Sequence, residues 1–335
     1  MKRTLSLILV GVMLIFAVAG CGSTPAPEGS SNDEGEAPKG PQLSMIRIGT
    51  ASMTGNSYVQ GSAIAQMITE KVEGINSAAQ ATGGSGDNCY LLDEDEIELG
   101  FIQSATAKQA VTGTGSFDGQ KIESLRGVGV VVVNAFHIIV NTKSGIEKPS
   151  DLRGKKVGVA TMGGGVEVNA NIVLGEFGIA EDEYEHIYST MGEALEMVKL
   201  GQVDAVIYAT SIGNANVYDT LSNGTCTLLS LPQEEIDRIT SKRDEFGPSV
   251  IPGGSYPDVP DDVLAISGSM LLLTRENIDE ETIYTVTKGL FENNDYLVAQ
   301  NASLADTIPE NAMVGMCVPL HPGAERYLKE IGALE

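Results

Sequence analysis

Four polar loops rich in glycine and hydroxyl residues are the parts of this sequence best suited to hold a small molecule. They span residues 50–58 (TASMTGNSY), 82–88 (TGGSGDN), 103–104 (QS) and 161–169 (TMGGGVEVN). Each loop follows an apolar segment predicted to be a strand and precedes a segment predicted to be a helix. Backbone N–H groups at a helix N-terminus are unpaired and carry partial positive charge, which suits a carboxylate or a phosphate. Together, the four loops predict a cleft that binds a small anion.

Covalent chemistry finds little support in the residue pattern. Neither a G-x-S-x-G nucleophile turn nor a phosphate-binding P-loop is present. Residues 113–119 (GTGSFDG) resemble a dinucleotide-binding turn, but they follow a helical segment and have the wrong spacing. The acidic run 93–96 lacks the spaced ligands and the turn glycine of a calcium loop. We therefore predict no catalytic residue, no metal and no cofactor, and we interpret His321 as a turn histidine bonded to neighbouring backbone.

Composition and charge exclude one large class of partner. The chain has 335 residues, with 21 Lys and Arg against 45 Asp and Glu, and a formal net charge of −24. Nucleic acid is excluded as a partner, because phosphate binding needs clustered cations that release counterions. The 42% hydrophobic content is enough for one or two cores.

The N-terminal region is predicted to be an export signal followed by a lipid anchor. Lys2 and Arg3 precede an almost wholly apolar stretch, and small residues stand directly before Cys21. This pattern is typical of a bacterial lipoprotein signal at residues 1–20, with Cys21 lipidated. The alternative, a transmembrane anchor, has too short an apolar run. Residues 21–43 are polar and rich in Pro, Gly and Ser, so we predict a flexible tether and an extracytoplasmic protein bound to the cell membrane.

The body of the chain alternates between strand and helix patterns. This alternation predicts an α/β fold with a parallel sheet covered on both faces. A second series begins near residue 137, so we expect two lobes with a ligand cleft between them. Cys89, Cys226 and Cys317 are interpreted as core residues or free thiols. The predicted strands are 45–50, 77–82, 98–102, 125–133, 135–141, 157–160, 204–208 and 265–274, and the predicted helices include 58–72, 193–200 and a single helix over 280–299.

Seven motifs occur in a fixed order between residues 45 and 332. They are I-G-T with Gly55, Tyr58 and Gly61; T-G-G-S-x-x-N-x-x-x-L at 82–92; D-L-x-G-K-x-V at 151–157; G-x-G-x-E-x-N-A at 163–170; G-x-x-D-A at 201–205; I-P-x-G-x-Y at 251–256; and P-L-H-P-G-A-x-x-Y at 319–327. In these motifs the chain resembles the TAXI-type solute-binding proteins of tripartite ATP-independent periplasmic (TRAP) transporters. The opening and closing motifs together are the specific part of the resemblance.

The resemblance implies a receptor rather than an enzyme. It implies a type II periplasmic-binding-protein fold: lobe I (44–135 plus 271–335) and lobe II (136–270) are joined by a two-strand hinge and close over one solute. The implied solute is a small organic carboxylate, such as glutamate or a dicarboxylate, delivered to TRAP permease subunits. Alternatives are a receptor of an ATP-binding-cassette importer or a sensor, a secreted α/β hydrolase, and an adhesive protein. The implied ligand contacts are Thr54, Gly55, Ser57, Tyr58, Ser85, Gln103, Ser104, Gly163, Gly164, Gly165, Val166, Glu167, Tyr208 and Ser211.

Three departures from the family pattern fall in the predicted pocket. Ser57 stands where a second tyrosine is usual, Gly164 replaces a serine, and Ala51-Ser52 replaces two glycines. In addition, none of the four loops contains Arg or Lys. An anionic solute would therefore depend on backbone amides and hydroxyls, without a bidentate guanidinium.

Overall fold

The computed structural model describes residues 40–53, 55–160, 162 and 164–335. The predicted signal, Cys21 and most of the predicted tether lie outside these residues. The end of the tether segment is docked on the domain: the backbone N–H groups of Gln42 and Leu43 both point to the hydroxyl of Thr282, at 3.1 and 3.4 Å. Within the described ranges, no helix combines the length and apolar character needed to cross a membrane.

Strands and helices follow the predicted alternation along the described chain. The strands are β1 Met45–Gly49, β2 Asn76–Gln80, β3 Leu99–Gln103, β4 Leu125–Asn141, β5 Lys156–Ala160, β6 Glu185–Tyr188, β7 Ala205–Thr210, β8 Cys226–Leu228, β9 Phe246–Ile251 and β10 Val263–Arg275. The helices are α1 Asn56–Lys71, α2 Ser85–Asp93, α3 Ser104–Thr112, α4 Gly165–Glu176, α5 Met191–Lys199, α6 Ala215–Leu221, α7 Gln233–Thr240, α8 Glu280–Glu292, α9 Asn294–Gln300 and α10 Pro322–Glu330.

The sheet is mixed: the predicted parallel strands are present, but the prediction of a parallel sheet did not include antiparallel strands at its centre. Its strands are ordered β2-β1-β3-β10-β4-β7-β5-β6, with β9 beside β10 and β8 beside β4. Two parallel blocks, β2-β1-β3 and β7-β5-β6, flank an antiparallel central pair formed by β4 and β10. The chain leaves the first block through β4 and returns through β10. Two strands that carry a chain out and back must run in opposite directions.

Strand β4 is continuous, although the sequence predicted two strands separated by Asn134. Its 17 residues span roughly 55 Å, enough to run through both lobes. The backbone of Asn134 stays in register with Gly268 of β10 while its side chain leaves the apolar pattern. A polar side chain therefore interrupts the hydrophobic run without interrupting the ladder.

The predicted helix over residues 280–299 is also wrong, because it is two helices. The chain turns at Asn293, whose Nδ2 donates to the carbonyl of Gly289 at 2.8 Å. The Nδ2 of Asn294 donates to the carbonyls of Leu304 and Thr307, at 3.1 and 2.9 Å. These bonds satisfy backbone groups locally and let α9 leave the line of α8.

Four buried clusters divide between two lobes, two clusters to a lobe. In lobe I, one cluster lies beneath α1, α8 and α10, and the other lies beneath α2 and α3 on the opposite face of the sheet. In lobe II, one cluster lies beneath α4 and α7, and the other beneath α5 and α6. The predicted architecture of two α/β lobes joined by two strands is confirmed. The lobe boundaries at 135/136 and 270/271 stay predictions.

One motif residue, Asn88 of α2, ties together the ends of the lobe I strands. It is fully buried, and its Nδ2 donates to the carbonyls of Thr50 and Phe101, both at 2.8 Å. Its Oδ1 accepts from the hydroxyl of Thr82 at 2.7 Å. A Cβ on Gly49 would lie 2.6 Å from that Oδ1, so only glycine fits there. The motif thus fixes the sheet edge from which the loops of the cleft emerge.

We expect Asn88→Leu to lower the free energy of unfolding by about 2–5 kcal/mol, because two buried carbonyls lose their donor. Urea unfolding followed by far-UV circular dichroism measures this loss. The control is Asn76→Leu at the exposed start of β2, for which we expect a change within about 0.5 kcal/mol. Equal stability of the two variants would contradict this role for Asn88.

Candidate functional site

Two adjoining cavities lie between the lobes at the carboxyl ends of the parallel strands. The hinge chamber, of about 650 Å³, is lined by the start of α1, Asn134 of β4 and the segment after β7. The helix-end chamber, of about 450 Å³, is lined by the loop before α2, the start of α4 and the loop after β1. The two chambers share Ser52, Ser57, Gln103, Ala160, Val166 and Met270.

Four helices begin at these cavities without a side-chain cap. Gly55, Gly84 and Gly164 precede α1, α2 and α4, and Gln103, which precedes α3, makes no capping bond. By contrast, Thr190 caps α5 with its own side chain. The first residues of α1, α2 and α4 line the chambers, so their N–H groups remain available to a ligand. Gly84 has a φ of +103°, a conformation that side chains disfavour, and this brings its backbone to the chamber wall.

The cleft is lined by neutral side chains. Among the described residues that line either chamber, none is Asp, Glu, Lys, Arg or His. One fifth of the whole chain is charged, so the neutral lining differs from the rest of the surface. A bound ion in this cleft would meet only backbone dipoles, hydroxyls and side-chain amides.

Most of the predicted ligand contacts come together at these chambers. Tyr58, Ser104 and Glu167 are not among the lining residues. Thr54 and Gly163 lie outside the described residues. The predicted residues that line one or both chambers are Gly55, Ser57, Ser85, Gln103, Gly164, Gly165, Val166, Tyr208 and Ser211.

The structure places Ser104 in the hinge rather than in the cleft. Its buried hydroxyl donates to the carbonyl of Glu245 in lobe II at 2.8 Å and accepts from the N–H of Ser269 in β10 at 3.1 Å. The hydroxyl therefore uses its hydrogen and one of its lone pairs in bonds to the protein itself. We therefore interpret Ser104 as a link between lobe I, β10 and lobe II.

Glu167 and Tyr58 also engage protein groups. The buried carboxylate of Glu167 accepts from the hydroxyl of Tyr188 at 2.6 Å, and this hydrogen bond raises the pKa of Tyr188 to about 12. Tyr58 is half-buried, and its carbonyl accepts from the hydroxyl of Ser62 at 2.7 Å. The ligand-binding role predicted for these two residues stays a prediction.

Gln103 reaches across the cleft between the two chambers. Its Oε1 accepts from Nδ2 of Asn169 in α4 at 2.7 Å, and its backbone N–H donates to Oγ of Ser85 at 3.0 Å. A Cβ on Gly165 would lie 3.2 Å from the Gln103 side chain, so the glycine makes room for this crossing. Lys108 of α3 adds an ion pair with Asp244 of lobe II at 2.9 Å.

A buried chain of hydrogen bonds supports the loop after β7. Nδ1 of His137 donates to the carbonyl of Ala135 at 2.9 Å, and Nε2 accepts from the hydroxyl of Tyr256 at 2.8 Å. The oxygen of Tyr256 accepts from the N–H of Gly213, which lines the hinge chamber, at 2.8 Å. Burial lowers the pKa of His137 to about 4, so the ring is neutral near pH 7. Tyr256, the last residue of the I-P-x-G-x-Y motif, thus positions a wall of the cleft.

Remaining candidates for chemistry have structural roles. Nδ1 of His321 accepts from the N–H of Gly323 at 3.2 Å, and Nε2 donates to the carbonyl of Ile278 at 3.0 Å, which confirms its interpretation as a backbone-bonded turn histidine. Cys89, Cys226 and Cys317 are free thiols, as predicted. Across the described ranges, no group of three or more His, Cys, Asp or Glu side chains converges as a metal site would require.

The sequence analysis did not identify five amide residues that line the hinge chamber: Asn56, Gln60, Asn134, Asn214 and Asn216. Asn134 did carry a signal, since it is a lone polar residue within a long β-branched run. Asn56 stood within a predicted loop but was not identified as a contact. For Gln60, nothing in the local pattern distinguishes it from any polar residue of an amphipathic helix.

Comparison with known proteins places this fold and its family. A Xanthomonas citri protein solved bound to ATP is 10% identical over 87% of this chain and 96% of its own, with a TM-score of 0.54. A protein of Bordetella bronchiseptica RB50 is 14% identical over 88% of this chain and 83% of its own, with a TM-score of 0.52. The periplasmic aliphatic sulphonate binding protein SsuA from Escherichia coli is 17% identical over 86% of this chain and 83% of its own, with a TM-score of 0.47. The model of the NMT1-like family matches residues 48–332, and the protein therefore belongs to the NMT1-like family.

Proposed function

We propose that this protein is an extracytoplasmic receptor that binds a small organic carboxylate and delivers it to a membrane transporter. The observation that carries the proposal is the set of three uncapped helix N-termini, those of α1, α2 and α4, around a cleft between two lobes. A helix N-terminus stabilises an anion by about 0.3–1 kcal/mol, and more where the site is partly buried. Several N-termini directed at one cleft favour an anionic solute.

The net charge of −24 does not oppose this proposal. Charges on the outer surface are screened over about 8–10 Å at physiological salt. The lining carries no carboxylate among its described residues. Asp87 and Glu167, in the first turns of α2 and α4, accept hydrogen bonds from the N–H of Gly83 and the hydroxyl of Tyr188. The described groups that would touch a bound anion are therefore neutral.

The helix-end chamber is the proposed place of the carboxylate. The N-caps of α2 and α4, Gly84 and Gly164, enter this chamber from opposite lobes. The hydroxyl of Ser85 accepts from the N–H of Gln103, so its own hydrogen remains available for an anion. A carboxylate here would contact both lobes, which supports closure of the cleft around it.

A receptor is favoured over a hydrolase by the chemistry of the lining. General acid–base or nucleophilic catalysis would use an imidazole, a carboxylate or an amine close to the substrate. The side chains described around the two chambers include none of these. Binding and release without a covalent step fits the groups that are present.

The order of the seven motifs supports a TRAP permease as the partner. An ATP-binding-cassette importer would use a receptor of the same architecture. Reconstitution of the receptor in vesicles with each class of transporter separates the two, since uptake through a TRAP permease follows an ion gradient and does not need ATP.

Membrane attachment through Cys21 is part of the proposal. Expression of the chain with Cys21→Ser should abolish incorporation of labelled fatty acid, because the lipidated thiol is absent. Labelling with tritiated palmitate followed by immunoprecipitation measures this. Cys317→Ser is the matched control and should keep its label; full labelling of the Cys21→Ser protein would contradict the anchor.

A carboxylate placed in the helix-end chamber should weaken binding of an anion. Ser116 is an exposed residue of this chamber, so Ser116→Asp adds a charge and Ser116→Asn is its neutral match. Like-charge repulsion of about 1 kcal/mol, the scale for two charges a few ångströms apart in water, predicts a roughly three- to tenfold loss of affinity in Ser116→Asp at low salt, and less at high salt.

Isothermal titration measures this with the tightest binder among L-glutamate, L-glutamine, succinate and glutarate. Equal affinities of the Asp and Asn variants would place the anion elsewhere. If the folded protein binds no member of a wider carboxylate panel, the proposed function is wrong.

A further inference from the structure

Asn134 is a buried amide that lines the hinge chamber and has no hydrogen-bond partner among the described residues. It lies in the middle of β4, is 9% exposed, and lines the cavity. No hydrogen bond found among the described residues involves its side-chain amide. Buried polar groups in folded proteins are almost always paired, and an unpaired one points to a ligand or to water.

Gln60 presents a second open group to the same chamber, in a fixed orientation. It is 6% exposed, and its Nε2 donates to Oγ of Ser303 at 2.8 Å. The hydroxyl hydrogen of Ser303 is used on Oδ1 of Asn301 at 2.7 Å, so Ser303 must act as the acceptor for Gln60. Oε1 of Gln60 is therefore an acceptor, and within the described part of the chain it has no donor.

A negative end of a solute would be poorly held by these two groups. A carboxylate would face the acceptor oxygen of Gln60, with no cation among the described lining residues to compensate. An uncharged group with both N–H donors and a carbonyl acceptor can satisfy Gln60 and Asn134 together. Six side-chain amides are among the described residues that line this chamber: Asn56, Gln60, Gln103, Asn134, Asn214 and Asn216.

We propose that Asn134 and Gln60 form a subsite for an uncharged, amide-like end of the solute, whose carboxylate lies in the helix-end chamber. The proposal rests on the proposed function and narrows it from dicarboxylates to carboxylates that carry a neutral hydrogen-bonding group at the other end. The two chambers adjoin at Ser57, Gln103 and Val166, so one extended molecule reaches both. A site built to hydrogen-bond one group discriminates strongly against an analogue that leaves its polar groups unpaired.

The first test compares glutarate with its monoamide, which have the same carbon chain and differ only in one terminal group. Isothermal titration of the purified protein should give at least tenfold higher affinity for the monoamide. Equal or higher affinity for glutarate would overturn the amide subsite and leave the carboxylate receptor standing. A different outcome is that the folded protein binds neither glutarate nor its monoamide, and also none of L-glutamate, L-glutamine and a wider panel of acids and half-amides. That result would overturn the proposed function and this inference with it.

The second test separates a ligand-binding role of Asn134 from a structural one. Asn134→Leu should bind the monoamide at least tenfold more weakly, and the ratio of monoamide to glutarate affinity should fall towards one. Without solute, its melting temperature should be equal to or above that of the wild type, because an unpaired buried amide is replaced by an apolar group of similar shape.

Two control variants accompany the measurements of melting temperature and affinity. Asn88→Leu removes a buried amide whose donors and acceptor are bonded to protein, and its melting temperature should fall. Asn76→Leu, at the exposed start of β2, should leave the melting temperature and both affinities unchanged. A fall in the melting temperature of Asn134→Leu comparable to that of Asn88→Leu, or an unaltered monoamide affinity, would overturn the proposal.

Discussion

The antiparallel pairing of β4 with β10 is the constraint on which the rest of the structure depends. These two strands carry the chain from lobe I to lobe II and back, and their register runs from Ala135 opposite Ser267 to Leu125 opposite Arg275. Each lobe has buried clusters on both faces of its own parallel block. The lobes thus have largely separate cores, which touch where Ala105 of α3 packs in the lobe II cluster, and the shared pair determines how their strand ends face each other.

The second constraint is the position of polar groups along this pair. The side chains of Asp306 and Thr307 bind the backbone of β4: the carboxylate accepts from the N–H of Val133 at 3.2 Å, and the hydroxyl donates to the carbonyl of Val131 at 2.7 Å. They occupy an edge of the strand that no neighbouring strand pairs at this point. The next residue along the strand is Asn134, whose side-chain amide lines the hinge chamber and has no hydrogen-bond partner among the described residues. Protein side chains therefore bond the strand at Val131 and Val133, and the next residue presents its amide to the cavity.

Much of this architecture could be predicted from the sequence, because strand and helix periodicity are local properties. The strands before each Gly-rich loop and the helices after them were predicted, and the motif residues Gly49 and Asn88 are explained by packing at the sheet edge. The continuity of β4 could not be predicted, since a polar residue within an apolar run looks the same whether it ends a strand or faces a cavity. The mixed direction of the sheet depends on which strands pair, and pairing is set by contacts between distant residues.

The candidate site shows the same division between local and distant information. Loops at helix N-termini can be recognised in a sequence by their glycine and hydroxyl residues. Most of the ligand contacts predicted in this way line the two chambers. Gln60 and Asn134 meet at one cavity only because α1, β4 and Ser303 come together from parts of the chain more than 240 residues apart. A neutral cleft in a strongly acidic chain follows from this assembly: most charged residues lie on the outer surface, where water solvates them, and the buried carboxylates of Glu98, Glu167 and Glu245 are bonded to protein groups. Backbone dipoles and amides remain inside, where low exposure increases the strength of each hydrogen bond. In the proposed receptor, such a lining would select a solute by the arrangement of its donors and acceptors as well as by its charge.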